Sequence, residues 1–156
     1  MSPWLTGATA LACMLMGGVF FTFSSFVMPA LGRIPVEEGI RAMQRINIDV
    51  YHWTFMGMFF VTPVACIATA VQAFWNANGQ AVVYATIGAV VYVLGNFVVT
   101  AAGNVPLNNA LAAVEPDTVD AARQWSHYLV RWTRWNHVRT AASIIASASF
   151  VLALRA

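Results

Sequence analysis

Four stretches of the chain are almost continuously apolar, over about 4–28, 51–75, 81–103 and 136–154. Each approaches or exceeds the roughly 20 residues a helix needs to cross the hydrocarbon core of a bilayer. Pro29 marks the end of the first. Asn76-Ala77-Asn78-Gly79 is a short polar turn signal, which predicts a helical hairpin of the second and third stretches with no intervening domain. No charged residue occurs before Arg33 and nothing basic precedes the first stretch, so it is expected to stay as a span and not to be removed as a signal peptide.

The two longer intervals, Gly32–Val50 and Asn104–Trp135, carry a different pattern. Val36, Ile40, Met43, Ile46 and Val50 recur at spacings of three and four, with Glu37, Glu38, Arg41 and Arg45 between them. In the second interval Trp125, Tyr128, Trp132 and Trp135 form an aromatic stripe, and Arg123, His127, Arg131 and Arg134 a basic one. Both predict amphipathic helices at the membrane boundary, or extensions of the spans, with the aromatic rings as headgroup-depth anchors. The predicted fold is therefore all-α: one integral membrane domain over 1–156, a four-transmembrane-helix bundle with two amphipathic helical connections on one side.

Charge sets the orientation. Arg33, Arg41, Arg45, Arg123, Arg131, Arg134 and Arg139 lie on the side of the two connections, and only Arg155 on the other. That asymmetry predicts cytoplasmic connections and termini facing away from the cytoplasm, as in a bacterial inner membrane. Composition agrees: 60% of residues are hydrophobic, 9% are charged and mean hydropathy is +0.67. A soluble domain carries about 25% charged residues, so a small soluble enzyme and a disordered chain are both excluded. A net charge of +2 with no basic cluster gives no reason to expect nucleic acid. The expected partners are the lipid bilayer, a lipophilic small molecule and a further copy of the chain. Cys13 and Cys66 sit in apolar runs, as packing residues.

Polar residues inside the apolar runs are the candidates for chemistry. Tyr92, Asn96, Thr100, Asn104 and Asn108 follow one another at intervals of four, on one face of a helix. Asn96 lies deep in its span, where an amide needs a partner helix or a polar pocket. Gly18, Thr22, Ser25 and Pro29 share a face of the first span, a small-residue pattern suited to close packing. Ser24 and Ser25 are also placed to offer hydroxyls to that pocket. Thr140, Ser143 and Ser147 form a similar face in the last span. Asn47, Asp49, Tyr51 and His52 make a polar knot before the second span, with Asp49 and His52 in reach of each other on a helix. An imidazole there suits proton transfer. The densest cluster is Trp132 to Thr140, with Asn136, His137 and Arg139 at the membrane edge. An arginine at that depth must snorkel or be paired. The three His show neither i, i+4 pairing nor a Glu-x-x-His motif, which speaks against a haem or metal site.

Ser25-Phe26-Val27-Met28-Pro29-Ala30-Leu31, Ala42-Met43-Gln44-Arg45-Ile46-Asn47, Asn104-Val105-Pro106-Leu107-Asn108-Asn109 and Trp132 to Thr140 occur in this order. Their sequence resembles the anthrone oxygenase family of small four-helix membrane proteins, over nearly the whole chain. Asn-Val-Pro-Leu-Asn and Trp-Asn-His-Val-Arg are the most specific parts. The resemblance implies a membrane oxygenase; fungal members are held to convert an anthrone to an anthraquinone with molecular oxygen and no established cofactor. It carries over Asn104, Asn108, Trp132, Asn136 and Arg139. His137 matches the bacterial form of the pattern.

Two classes of function follow. An oxygenase acting on a phenolic or enolisable aromatic needs a base, donors for the enolate oxygen and an apolar slot. His137 or His52 is the expected base, with Asn136 and Arg139 beside His137 as the catalytic group. Asn104, Asn108, Trp132, Asn96, Ser25, Asn47 and His52 are the expected substrate contacts, with molecular oxygen as co-substrate and no metal or other cofactor. The alternatives are a binding or transport module for a quinone-like or lipid-like amphiphile, a haem- or metal-binding bundle, or a structural subunit.

Overall fold

The computed structural model describes residues 1–76 and 79–156, so Ala77 and Asn78 of the expected turn lie outside the described residues. The described residues form five long helical segments and no strand. They are α1 (Pro3–Leu31), α2 (Val36–Asp49), α3 (Trp53–Asn76), α4 (Gln80–Ala112) and α5 (Ala121–Arg155). All but α2 are long and apolar enough to cross a membrane. Their outward faces carry Leu11, Phe21, Val61, Val64, Phe74 and Ile144, all exposed, as a lipid-facing surface requires.

The segments are longer than the apolar runs. At about 1.5 Å per residue the 35 residues of α5 extend roughly 50 Å, well past the hydrocarbon. The expected second amphipathic connection is thus an extension of α4 and an extension of α5, joined by the short stretch 113–120. The first connection is a separate helix, α2, entered through Pro35 with Glu37 and Glu38 in its first turn. Ser2 caps α1 through its hydroxyl, which accepts from the Leu5 N–H at 3.5 Å, with Pro3 at the first helical position.

α5 is the centre of the bundle, and small residues let its neighbours approach. A Cβ on Gly17 of α1 would stand 2.9 Å from Ser143 Cβ, and one on Gly88 of α4 3.0 Å from the Phe150 ring. The Ser147 hydroxyl donates to the Ala10 carbonyl at 2.9 Å. The packing face of α1 is therefore Ala10, Cys13, Gly17 and Phe20. The face expected to pack, Gly18 to Pro29, is turned outward: Gly18 has open space beside it and Ser25 and Pro29 are exposed.

At the end where α2 lies, Ile40, Met43, Leu111, Val114, Ala121, Trp125, Tyr128 and Trp132 form a second core. The aromatic stripe of α5 thus turns inward against α2 instead of anchoring in headgroups, since an amphipathic α2 supplies an apolar partner. Its rings follow one another at 5.7 Å (Trp125–Tyr128) and 6.2 Å (Tyr128–Trp132). Only Trp135, at 38% exposed, keeps an outward position. Gln44 of α2 donates to the Leu111 and Val114 carbonyls at 2.9 and 3.0 Å, which ties α2 to the end of α4 and the stretch after it.

Candidate functional site

Beneath that second core is a partly open cavity of about 550 Å³, walled by α1, α2, α3, α4 and α5. One part of its wall is apolar and aromatic, from Phe20, Phe23, Met43, Phe55, Phe59 and Phe97. The other is polar, from Asn47, Thr100, Asn104, Asn108, Asn136 and Arg139.

Three stretches around it hydrogen-bond in the wider i→i+5 pattern of a π-helix: Phe23–Val27 in α1, and Val93–Val98 and Thr100–Asn104 in α4. Such turns spread the backbone ladder and recur at functional sites. The Phe20 carbonyl, just before the first stretch, accepts from Asn136 Nδ2 at 2.6 Å, and the same amide donates to Ser24 Oγ at 2.7 Å. Asn136 is buried, and its remaining oxygen accepts from Arg139 Nη2 at 2.6 Å. Both N–H donors of this amide hold α1, and its oxygen aims the guanidinium.

Arg139 is only 6% exposed, although it lies within a membrane helix. Its Nη1 donates to Thr100 Oγ1 at 3.3 Å, and its Cζ lies 4.4 Å from the Phe20 ring centroid and 5.1 Å from that of Trp132. Among the described residues the ion pairs are Arg41–Asp117, Arg45–Asp49 and Arg123–Asp120, all exposed, and none involves Arg139. Its Nε is without a hydrogen-bond partner, as is Asn104 Oδ1. A guanidinium stays protonated, so a whole positive charge is held against the cavity by two neutral oxygens and two aromatic faces.

The neighbouring polar groups hold the wall in place. Asn104 Nδ2 donates to the Trp132 carbonyl at 3.2 Å. Asn108 Oδ1 accepts from Tyr128 O–H at 2.9 Å and from Trp132 Nε1–H at 2.8 Å. Asn47 Nδ2 donates to Tyr128 Oη at 3.5 Å.

The geometry brings together Asn47, Asn104, Asn108, Trp132, Asn136 and Arg139 of the residues expected from sequence. Asn96 is buried above the cavity, where Ser143 Oγ donates to its Oδ1 at 3.3 Å while its Nδ2 has no partner. Of the five-residue stripe, all inward-facing to some degree, only Thr100, Asn104 and Asn108 reach the cavity. Three expected residues stand elsewhere. Ser25 is exposed and bonded to its own helix at Thr22; the inward hydroxyl is that of Ser24. His137 is exposed, because the face of α5 that reaches the cavity is that of Trp132, Asn136 and Arg139. His52 is exposed and its Nδ1 is 2.9 Å from Thr54 Oγ1. α2 ends at Asp49, which pairs with Arg45 at 2.9 Å, so the expected Asp49–His52 pair is not formed. Asp49 is the one carboxylate, among the described residues, that lines the cavity. The aromatic wall was missed in the sequence, because Phe20, Phe55, Phe59 and Phe97 look like any other lipid-span residues; their clustering appears only when the helices meet.

The sequence model of a family described as anthrone oxygenase matches residues 49–149. No curated protein and no solved structure matches the chain.

Proposed function

The chain belongs to the anthrone oxygenase family, and from that premise we propose that it oxidises a lipophilic, phenolic or enolisable aromatic with molecular oxygen in the cavity at Arg139. The observation that carries the reading is the buried guanidinium with no carboxylate beside it. Such a charge stabilises an oxyanion that forms next to it, and does so most strongly where water is excluded. Loss of a proton from an activated methylene gives an enolate whose oxygen faces Arg139. The carbanionic carbon forms a C–O bond with O₂, and protonation gives a hydroperoxide. Loss of water from that carbon leaves a carbonyl, so that CH₂ and O₂ become C=O and H₂O. The rings lie in the aromatic wall. Asn136 and Thr100 aim the guanidinium; Asn104, Asn108 and Trp132 shape the polar end. The proton leaves toward Asp49, in place of the histidines expected from the sequence. The reaction as written needs no metal or other cofactor, and the protein is read as a bacterial inner-membrane protein with termini away from the cytoplasm.

Oxygen uptake by proteoliposomes supplied with an anthrone tests this. Arg139→Lys keeps the charge and loses the planar fork, and turnover is expected to fall on the order of 10²-fold, the scale of removing one oxyanion donor. His137→Ala is expected to keep wild-type turnover. Uptake that survives Arg139→Lys and vanishes in His137→Ala would overturn this assignment of roles.

The exposure of His52 and His137 favours a second reading, a binding module for an anionic planar amphiphile that needs no strong base. Saturable binding of a hydroxyanthraquinone without anthrone-dependent uptake selects it.

A further inference from the structure

α3 is fastened to α1 at one end. The Ser2 N–H donates to Gln72 Oε1 at 2.7 Å, the Thr9 and Thr69 hydroxyls meet at 2.9 Å, and the Cys13 and Cys66 thiols at 3.5 Å. All three ties lie after Pro63. Among the described residues no hydrogen bond joins Trp53–Val61 to another helix; Thr62, next to Pro63, faces the Tyr92 hydroxyl of α4 and donates to the Met58 carbonyl. Pro63 has no N–H for the Phe59 carbonyl. The half of α3 that walls the cavity is therefore joined to the fastened half by a weakened turn.

On that half the lining runs from inward Phe55 and Phe59 out to Met56 and Phe60. On α4 it runs from buried Asn104 out to Phe97 and Ala101. Phe60 is 51% exposed and Phe97 37%, and Ala101 is exposed. Their chain neighbours Val61, Val64, Leu94 and Val98 belong to the lipid-facing surface. Aromatic rings meet across the seam: Phe97 lies 5.6 Å from Phe59 and 6.0 Å from Phe60, centroid to centroid.

We propose that the ligand enters and leaves the cavity from the bilayer, through the seam between α3 and α4, and that Phe60, Phe97 and Ala101 set the width of what is admitted. This rests on the reading that the cavity holds a small molecule. A ligand that fits a mainly apolar cavity of about 550 Å³ is lipophilic and concentrates in hydrocarbon. Passage by the seam strips no water from a charge and breaks no inter-helix hydrogen bond; three rings rotate and half of α3 leans out. The opposite, water-facing end is lined by Val50, Tyr51 and the Asp49 that pairs with Arg45.

The test mixes donor vesicles carrying a fluorescent hydroxyanthraquinone with vesicles containing the full-length protein, and follows dye emission as it binds and, after dilution into plain vesicles, as it leaves. Ala101→Trp is expected to slow both rates at least about tenfold, with Kd within about threefold, because a barrier in the path acts on both directions alike. Phe97→Ala is expected to quicken both rates and admit a dye one ring wider, which keeps the test decisive if the Trp variant fails to fold. Ile48→Trp, beside the water-facing end and outside the lining, is expected to leave the rates unchanged. Slowing by Ile48→Trp with no effect of Ala101→Trp or Phe97→Ala overturns the lateral route and leaves the binding site standing. Absence of dye binding to the wild-type protein overturns the site itself, and the route with it.

Discussion

A charge that is buried without an ionic partner is a net cost to the fold. Arg139 has Asn136 and Thr100 as hydrogen-bond acceptors and the faces of Phe20 and Trp132 as cation–π partners. These offset part of the desolvation; cation–π contacts reach about 2 kcal/mol when desolvated. An apolar side chain of similar length escapes the desolvation but leaves Asn136 Oδ1 without its donor, about 1–3 kcal/mol. Arg139→Met is therefore expected to be as stable as wild type or more so, by about 0 to 2 kcal/mol, and to bind no anionic ligand. Thermal unfolding in detergent checks this; a fall of several degrees would make the guanidinium a structural clamp. The residues of the polar end were legible in the sequence because amides and an arginine at span depth have few tolerable positions. The pairing of roles was not. Asn136 faces Arg139 because both lie on the face of α5 turned to the bundle, and which of Asn136, His137 and Arg139 turn inward depends on how α5 is rotated, which Gly17 and Gly88 decide from other helices by where they receive Ser143 and Phe150.

At the scale of the helix, one glycine of an adjacent pair carries the packing. Gly17 has Ser143 where its Cβ would be, at 2.9 Å, and Gly18 has nothing within 4 Å. Gly17→Ala is expected to destabilise the bundle by about 1–3 kcal/mol, as overpacking does. Gly18→Ala is expected to be neutral or slightly favourable, since alanine is the better helix former by about 1 kcal/mol. Denaturant titration in mixed micelles distinguishes them, and equal losses would put the α1–α5 contact on another face. The four spans were legible because apolar runs of that length have one use. The face of α1 was not, since in a lipid-spanning helix both sides are apolar and periodicity carries no direction. The aromatic stripe of α5 was read as a lipid anchor for a related reason: the sequence shows the stripe and α2's apolar face separately, and only the chain's return brings them together.

For the molecule as a whole, α2 and the stretch 113–120 share one end, tied by Arg41 and Asp117 at 2.7 Å. With seven of the eight arginines on that side by sequence, it is expected to face the cytoplasm. Gln80→Cys, in the Cys-free background, should be labelled by an impermeant maleimide from outside intact cells; labelling only after lysis reverses the topology. The inward turn of α5 has a further consequence for how the protein is made. Of the four spanning helices it has the lowest hydropathy, 1.4, and its most apolar window is 50% buried against its neighbours, where the others stand at 28%. Arg139, near the membrane edge of the span, adds part of the about 2.5–3.5 kcal/mol that an arginine at a helix centre costs on insertion. α5 is thus poorly suited to enter the bilayer alone, and its side chains become soluble in the membrane only by dissolving in the other helices. Biogenesis should then be ordered: α1 and α4 wait as a partly formed template, and α5 is the late, obligate guest. A glycosylation-site reporter on isolated α5 is expected to show mostly failed insertion, and the same reporter in the full chain mostly successful insertion.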